Sequence, residues 1–95
     1  MWKLWRHKPE VILPTDRITV TNECLNEKYV EELEMGLERG ELKASDLDPI
    51  LVDIIHGEGF FAHDGNYRLE AMKRAGVPTV RAELKKFVRR PPENL

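Results

Sequence analysis

The chain has a single cysteine, Cys24, in 95 residues. A lone thiol closes no internal disulfide, so a disulfide-stapled secreted scaffold is excluded. The expected setting is reducing and cytoplasmic. No metal centre can rest on thiolates alone. Long apolar runs are also missing, and none approaches the ~20 residues that a membrane helix needs. The opening "MWKLWRHK" is charged and lacks an apolar centre, so no secretory leader is expected. Neither sign of charge dominates: 15 Lys and Arg face 17 Asp and Glu, for a net charge of −2. No bulk field draws the chain to nucleic acid, and any phosphate or DNA site must come from local clustering. Internal repeats and low-complexity tracts are absent.

What is present is an ordinary globular balance, 41% hydrophobic and 34% charged. The length predicts one domain over 1–95, able to bury a real but small core. "VILPTDRITV", 11–20, reads as two short strands broken at "PTD", because Pro14 cannot donate to a ladder and Thr15-Asp16 suits a turn. In "TNECLNEKYVEELEMGLERG", Asn26 is the expected N-cap of a helix whose Glu27 suits the first turn. Val30, Leu33 and Leu37 form its buried stripe, and Gly40 ends it. Gly36 inside that pattern costs helix stability and marks the close approach of another element or a ligand. "ILVDII", 50–55, and "FFAH", 60–63, read as a hairpin joined by "HGEG". A second helix follows, with Leu69, Met72 and Ala75 as its core face and a Glu70–Arg74 pair on the exposed side. "VPTVRAEL", 77–84, is the last strand. The order strand, strand, helix, strand, strand, helix, strand predicts a small mixed α/β (α+β) domain.

The chemistry gathers in "HDGNYRLEAMKRAG", 63–76. Gly65 can take a positive φ at no steric cost. Asn66, Tyr67 and Arg68 then present free N–H groups at a helix start, where the dipole favours an anion. Arg68 adds a guanidinium fork suited to phosphate. Asp64 would repel a phosphate directly, so its roles are to hold Mg²⁺, to accept from a hydroxyl or to cap the helix. A plain Asp-Gly turn with a capped helix is the competing structural reading of the same residues.

"DGNYRLEAMKRAGVPTVRAEL" resembles the signature of the ParB/sulfiredoxin superfamily. "ILPTDRITV", "YVEELEMGLERG" and "DPILV" are similar to that family's opening strands, first long helix and Pro-Ile-x-Val strand. The resemblance covers roughly 11–84, with basic extensions at either end. It implies a compact domain with a small mixed sheet and two main helices. It further implies a nucleotide, ATP or CTP with Mg²⁺, whose phosphates lie on Gly65, Asn66, Tyr67 and Arg68. His63 and Lys28 are further candidates for the nucleotide.

The branches of the family differ in chemistry. The sulfiredoxin branch carries Gly-Cys-His-Arg, where this chain has Gly65-Asn66-Tyr67-Arg68. Asn66 cannot act as the thiol nucleophile, so sulfinic acid reduction is not expected. The partition branch carries Gly-Glu-Arg-Arg and a DNA-binding domain, which is not expected within 95 residues. A small-molecule kinase branch carries Asp-Gly-His-His-Arg, of which Asp64, Gly65 and Arg68 match. That branch places a base just ahead of the first helix, and Glu23 stands at a similar offset. ATP hydrolysis or phosphoryl transfer is thus the expected activity, with Glu23 and Asp64 as the catalytic candidates. The alternative is a stand-alone DNA-binding or nuclease domain, using Lys3, Arg6, Lys85, Lys86, Arg89 and Arg90 at the two ends. Trp2 and Trp5 suit either base stacking or the cover of a core edge. His56 and His63 could face each other across the hairpin, but without a third ligand they make no metal site.

Overall fold

The computed structural model describes residues 10–22 and 24–88, and for 85–88 the backbone alone. Five strands form one mixed sheet: β1 (Glu10–Pro14), β2 (Ile18–Thr19), β3 (Ile50–Ile55), β4 (Gly59–Asp64) and β5 (Thr79–Val88). Their spatial order is β1-β5-β3-β4-β2. β3 and β4 are the expected antiparallel hairpin. β5 runs parallel to β3 on its far side and antiparallel to β1. β2 lies parallel to β4 at the other edge. The two main helices are α1 (Glu27–Glu38) and α2 (Asn66–Arg74). This is the predicted mixed α/β class.

The core follows the period of two along the strands. Ile50 and Val52 of β3, Val80 and Ala82 of β5, Ala62 of β4 and Ile18 of β2 are buried on one face. Leu69 and Met72 of α2 join them in a single cluster. Ala75 was expected on that face and is only half-buried, whereas Ala71 is fully buried. The reason lies in the helix phase. At about 100° per residue, Ala71 stands roughly 200° around from Leu69. α2 is therefore covered on two sides, by the sheet through Leu69 and Met72 and by α1 on the opposite face. Tyr67, Ala71 and Arg74, at i, i+4 and i+7, make that second stripe. Tyr67 meets Tyr29 of α1 edge-on, with ring centres 5.2 Å apart and an interplanar angle of 80°. Arg74 donates to both carboxylate oxygens of Glu27, at 2.9 and 2.6 Å. It also makes the expected i,i+4 bond to Glu70, at 2.8 Å. These hydrogen bonds hold the Glu27 carboxyl below its ordinary pKa and raise that of Arg74.

Asn26 caps α1 as predicted, accepting from the Tyr29 N–H at 3.3 Å. Gly36 marks an approach of the chain itself. Both Glu41 N and Leu42 N donate to the Gly36 carbonyl at 3.0 Å. A Cβ at Gly36 would stand 3.3 Å from the Leu42 Cβ. The turn that follows α1 thus folds back over Gly36. β5 extends four residues past its predicted end at 84, because β3 continues to pair with it as far as Val88.

Candidate phosphate-binding site

β4 delivers the chain to Asp64, and Gly65 then turns it into α2. Gly65 takes φ 92° and ψ 22°, in the left-handed region. The turn is reinforced by Asp64, whose Oδ1 accepts from the Gly65 N–H at 2.8 Å. Asp64 was expected to cap the helix as its structural role. It does not, because its bond ends at the residue before the helix, and no side chain caps α2. The first bond of the helix runs from Leu69 N to Gly65 O at 2.9 Å. Among the described residues, none accepts from the N–H groups of Asn66, Tyr67 or Arg68. Helix starts ordinarily satisfy these donors with a side chain, water or a ligand.

Arg68 sits tightly beneath this turn. A Cβ on Gly65 would stand 2.6 Å from Arg68 Nη2 and 2.9 Å from the Ile50 Cδ1. The guanidinium donates from Nη2 to the Pro49 carbonyl at 3.4 Å, and Nη1 lies 3.8 Å from the exposed Asp48 carboxylate. Its Nε is buried without a partner. These are long, weak contacts for a fork with five donors. Arg68 is thus positioned but not saturated.

Asn66, where a thiol stands in one branch of the family, is a tie between distant segments. Its Oδ1 accepts from Thr21 N at 2.8 Å and its Nδ2 faces Thr21 Oγ1 at 3.4 Å. Thr21 Oγ1 in turn donates to the Ala62 carbonyl at 2.7 Å. The segment between β2 and α1 is thereby drawn to the start of α2. An open cleft of about 210 Å³ results, lined by Asn22, Tyr29, Asp64, Gly65, Asn66, Tyr67 and Arg68.

Of the residues singled out in the sequence, Asp64, Gly65, Asn66, Tyr67 and Arg68 line the cleft, together with Asn22 and Tyr29. Those two carry no local signal, because only the fold brings them to α2. His63 and Lys28 do not line the cleft. His63 Nδ1 bonds Asp53 Oδ2 at 2.9 Å, so it faces β3. Lys28 is exposed on α1. Glu23, Lys3, Arg6, Arg89 and Arg90 lie outside the described residues, as do the side chains of Lys85 and Lys86. Among the described residues, no group of three or more His, Cys, Asp or Glu gathers as a metal site. No helix among them is long and apolar enough to cross a membrane.

No family model matches the sequence, and no curated protein matches it. Solved structures do match the fold. Sulfiredoxin from Arabidopsis thaliana superposes with a TM-score of 0.61 at 26% identity, over 82% of this chain and 85% of that one. The C-terminally truncated chromosome-partitioning protein ParB from Caulobacter crescentus, complexed with CTP-γ-S, gives 0.60 at 20% identity over 90% of this chain. The same ParB complexed to the centromeric parS site gives 0.63 at 22% identity over 80%. This chain spans 46% and 39% of those two ParB chains. With its five-stranded mixed sheet and paired helices, the chain has the ParB/sulfiredoxin fold.

Proposed function

We propose that this domain binds a nucleoside triphosphate, ATP or CTP, with the phosphates at the start of α2. One observation carries the reading: three N–H groups without an acceptor open into a cleft beside an unsaturated arginine. Aligned peptide dipoles, free donors and a guanidinium all favour the same ligand, an oxyanion. The fold shared with a CTP-γ-S-bound ParB supports a nucleotide over a bare anion.

Asp64 completes the reading. One of its oxygens holds the turn, and the other has no protein partner among the described residues. A single carboxylate beside phosphates fits a Mg²⁺ that takes the rest of its shell from the nucleotide and water. Such an ion neutralises charge on the phosphate oxygens when it is bound. The activity that follows is hydrolysis or transfer of the γ-phosphoryl group. A water or hydroxyl oxygen attacks the γ-phosphorus, the bond to the β-phosphate oxygen breaks, and the nucleoside diphosphate leaves. The proton of the attacking group passes to a carboxylate, for which Glu23 is the candidate while Asp64 holds the ion. In the cysteine position Asn66 offers an amide, so sulfinic acid reduction is not proposed.

The test is calorimetric titration of the protein and of Arg68→Gln with ATP and with CTP in the presence of Mg²⁺. Glutamine keeps much of the stem that packs under Gly65 but removes the charge. Loss of charge-assisted hydrogen bonds worth about 1.5–3 kcal/mol predicts an affinity roughly 10- to 150-fold weaker. An Arg68→Gln protein that is folded and binds both nucleotides as tightly as the parent would overturn the assignment.

A further inference from the structure

The cleft is too small for the ligand it is proposed to hold, and its rim shows where the remainder goes. Pockets that enclose a small organic ligand run from about 300 to 1,000 Å³. This one has about 210 Å³ and is open to solvent, so a nucleoside triphosphate held there would extend beyond it. The nucleoside must therefore lie across the rim. On that rim stands Tyr29, a large side chain left 51% exposed. We propose that Tyr29 is the base-recognition residue of the domain, a stacking platform for the aromatic base of a nucleoside triphosphate. This inference rests on the nucleotide reading given above.

Three features suit Tyr29 to that role. First, its ring is packed at the site. It makes an edge-to-face contact with Tyr67, which belongs to the same first turn of α2 that offers the phosphate donors. Second, the turn of α1 that carries it is held down. Asn26 caps that turn, and Arg74 grips Glu27 two residues before Tyr29. A platform already ordered loses little entropy when a base settles on it. Third, a polar partner stands beside it. Asn22 lines the same cleft and uses its Oδ1 to accept from Cys24 N at 2.9 Å. Its Nδ2 has no protein partner among the described residues, so it can donate to an acceptor on the base or ribose. Stacking tolerates any base, because every base presents a π-face. Tyr29 therefore distinguishes nucleotide from inorganic polyphosphate, while discrimination among bases falls to hydrogen-bonding groups such as Asn22.

The experiment is titration of the parent, Tyr29→Ala and Tyr29→Phe with CTP, ATP and inorganic triphosphate, each with Mg²⁺. Loss of one base stack predicts that Tyr29→Ala binds CTP and ATP about 5- to 150-fold more weakly. Inorganic triphosphate, which has no base, should bind within twofold of the parent. Tyr29→Phe keeps the ring and should keep the affinity. Equal losses for nucleotides and triphosphate would mean that Tyr29 only shapes the fold, and would overturn the inference. Unchanged nucleotide affinity in Tyr29→Ala would overturn it as well, leaving the phosphate site intact. A parent that binds triphosphate but shows no preference for nucleotides also defeats it. A parent that binds none of the three ligands defeats the nucleotide reading itself, and this inference with it.

Discussion

Gly65 joins the stability of the domain to the geometry of its site, and replacing it with alanine separates the two contributions. The backbone there has φ 92°. An L-residue in the left-handed region costs roughly 1–2 kcal/mol. Alanine also lowers the entropy of the unfolded chain, which returns about 0.4–1 kcal/mol. Those terms alone leave a net loss of about 0–1.6 kcal/mol. The new methyl would also stand 2.6 Å from Arg68 Nη2 and 2.9 Å from the Ile50 Cδ1. Arg68 is the end of a flexible chain and can swing aside. Ile50 is fully buried and cannot move without disturbing the core. Overpacking of that kind costs about 1–3 kcal/mol. Gly57 in the β3–β4 turn supplies the control, since it has φ +83° and open space where a Cβ would go. Gly57→Ala should therefore lose only the backbone term. Gly65→Ala should be less stable than Gly57→Ala by about 1–3 kcal/mol, and should melt at least ~4 °C lower. Urea denaturation with matched slopes measures the difference. Two variants of equal stability within about 0.5 kcal/mol would refute the packing of Arg68 and Ile50 beneath the turn.

What could be read from the sequence was local. The β-branched run 50–55 and its Gly-bearing turn fix a hairpin without outside help. Asn26 at a helix start and Glu70 four residues before Arg74 are equally self-contained signals. Gly65 and Arg68 were legible because a turn and the first turn of a helix lie within four residues. The contacts that close the site were hidden for the opposite reason. Thr21 and Asn66 are 45 positions apart, and Glu27 and Arg74 are 47. No propensity or spacing rule connects residues at that range. Cys24 belongs to the segment that Thr21 ties to Asn66, a proximity that no spacing rule shows. The second packed face of α2 has helical spacing at Tyr67, Ala71 and Arg74, but a tyrosine and an arginine do not look like a contact stripe. Ala71 is buried there, and Tyr67 and Arg74 meet Tyr29 and Glu27 of α1 at its margins. Asp64 does not take the capping role that an Asp before a helix often has. Here the extra residue, Gly65, moves its bond one position upstream of the helix.

Two further outcomes test these long-range ties. The Glu27 carboxyl is held below its ordinary value of 4.5 by hydrogen bonds from Arg74. Its stabilising share is therefore complete above that pH and is lost as pH falls through the lowered folded value. The stability gap between the parent and Glu27→Gln, measured by urea midpoints, should shrink as pH falls below 4.5, and a gap that stays constant would refute the pairing. The last prediction concerns Asn66→Asp, which divides the tie from the site. A carboxylate keeps the acceptor for Thr21 N at 2.8 Å and loses only the long 3.4 Å contact from Nδ2. Folding stability should change by no more than about 0.5–1.5 kcal/mol, the net worth of one hydrogen bond. The same substitution puts a negative charge at the helix start, beside the donors assigned to phosphate. Like charges a few ångströms apart repel by about 1 kcal/mol in water, and by about 4 kcal/mol at the effective dielectric of a protein surface. Nucleotide affinity should consequently fall by at least about fivefold in a protein that still folds. If Asn66→Asp binds CTP and ATP as tightly as the parent, the phosphates do not lie at the start of α2. If it fails to fold, Thr21 is held by the amide and not by its oxygen alone.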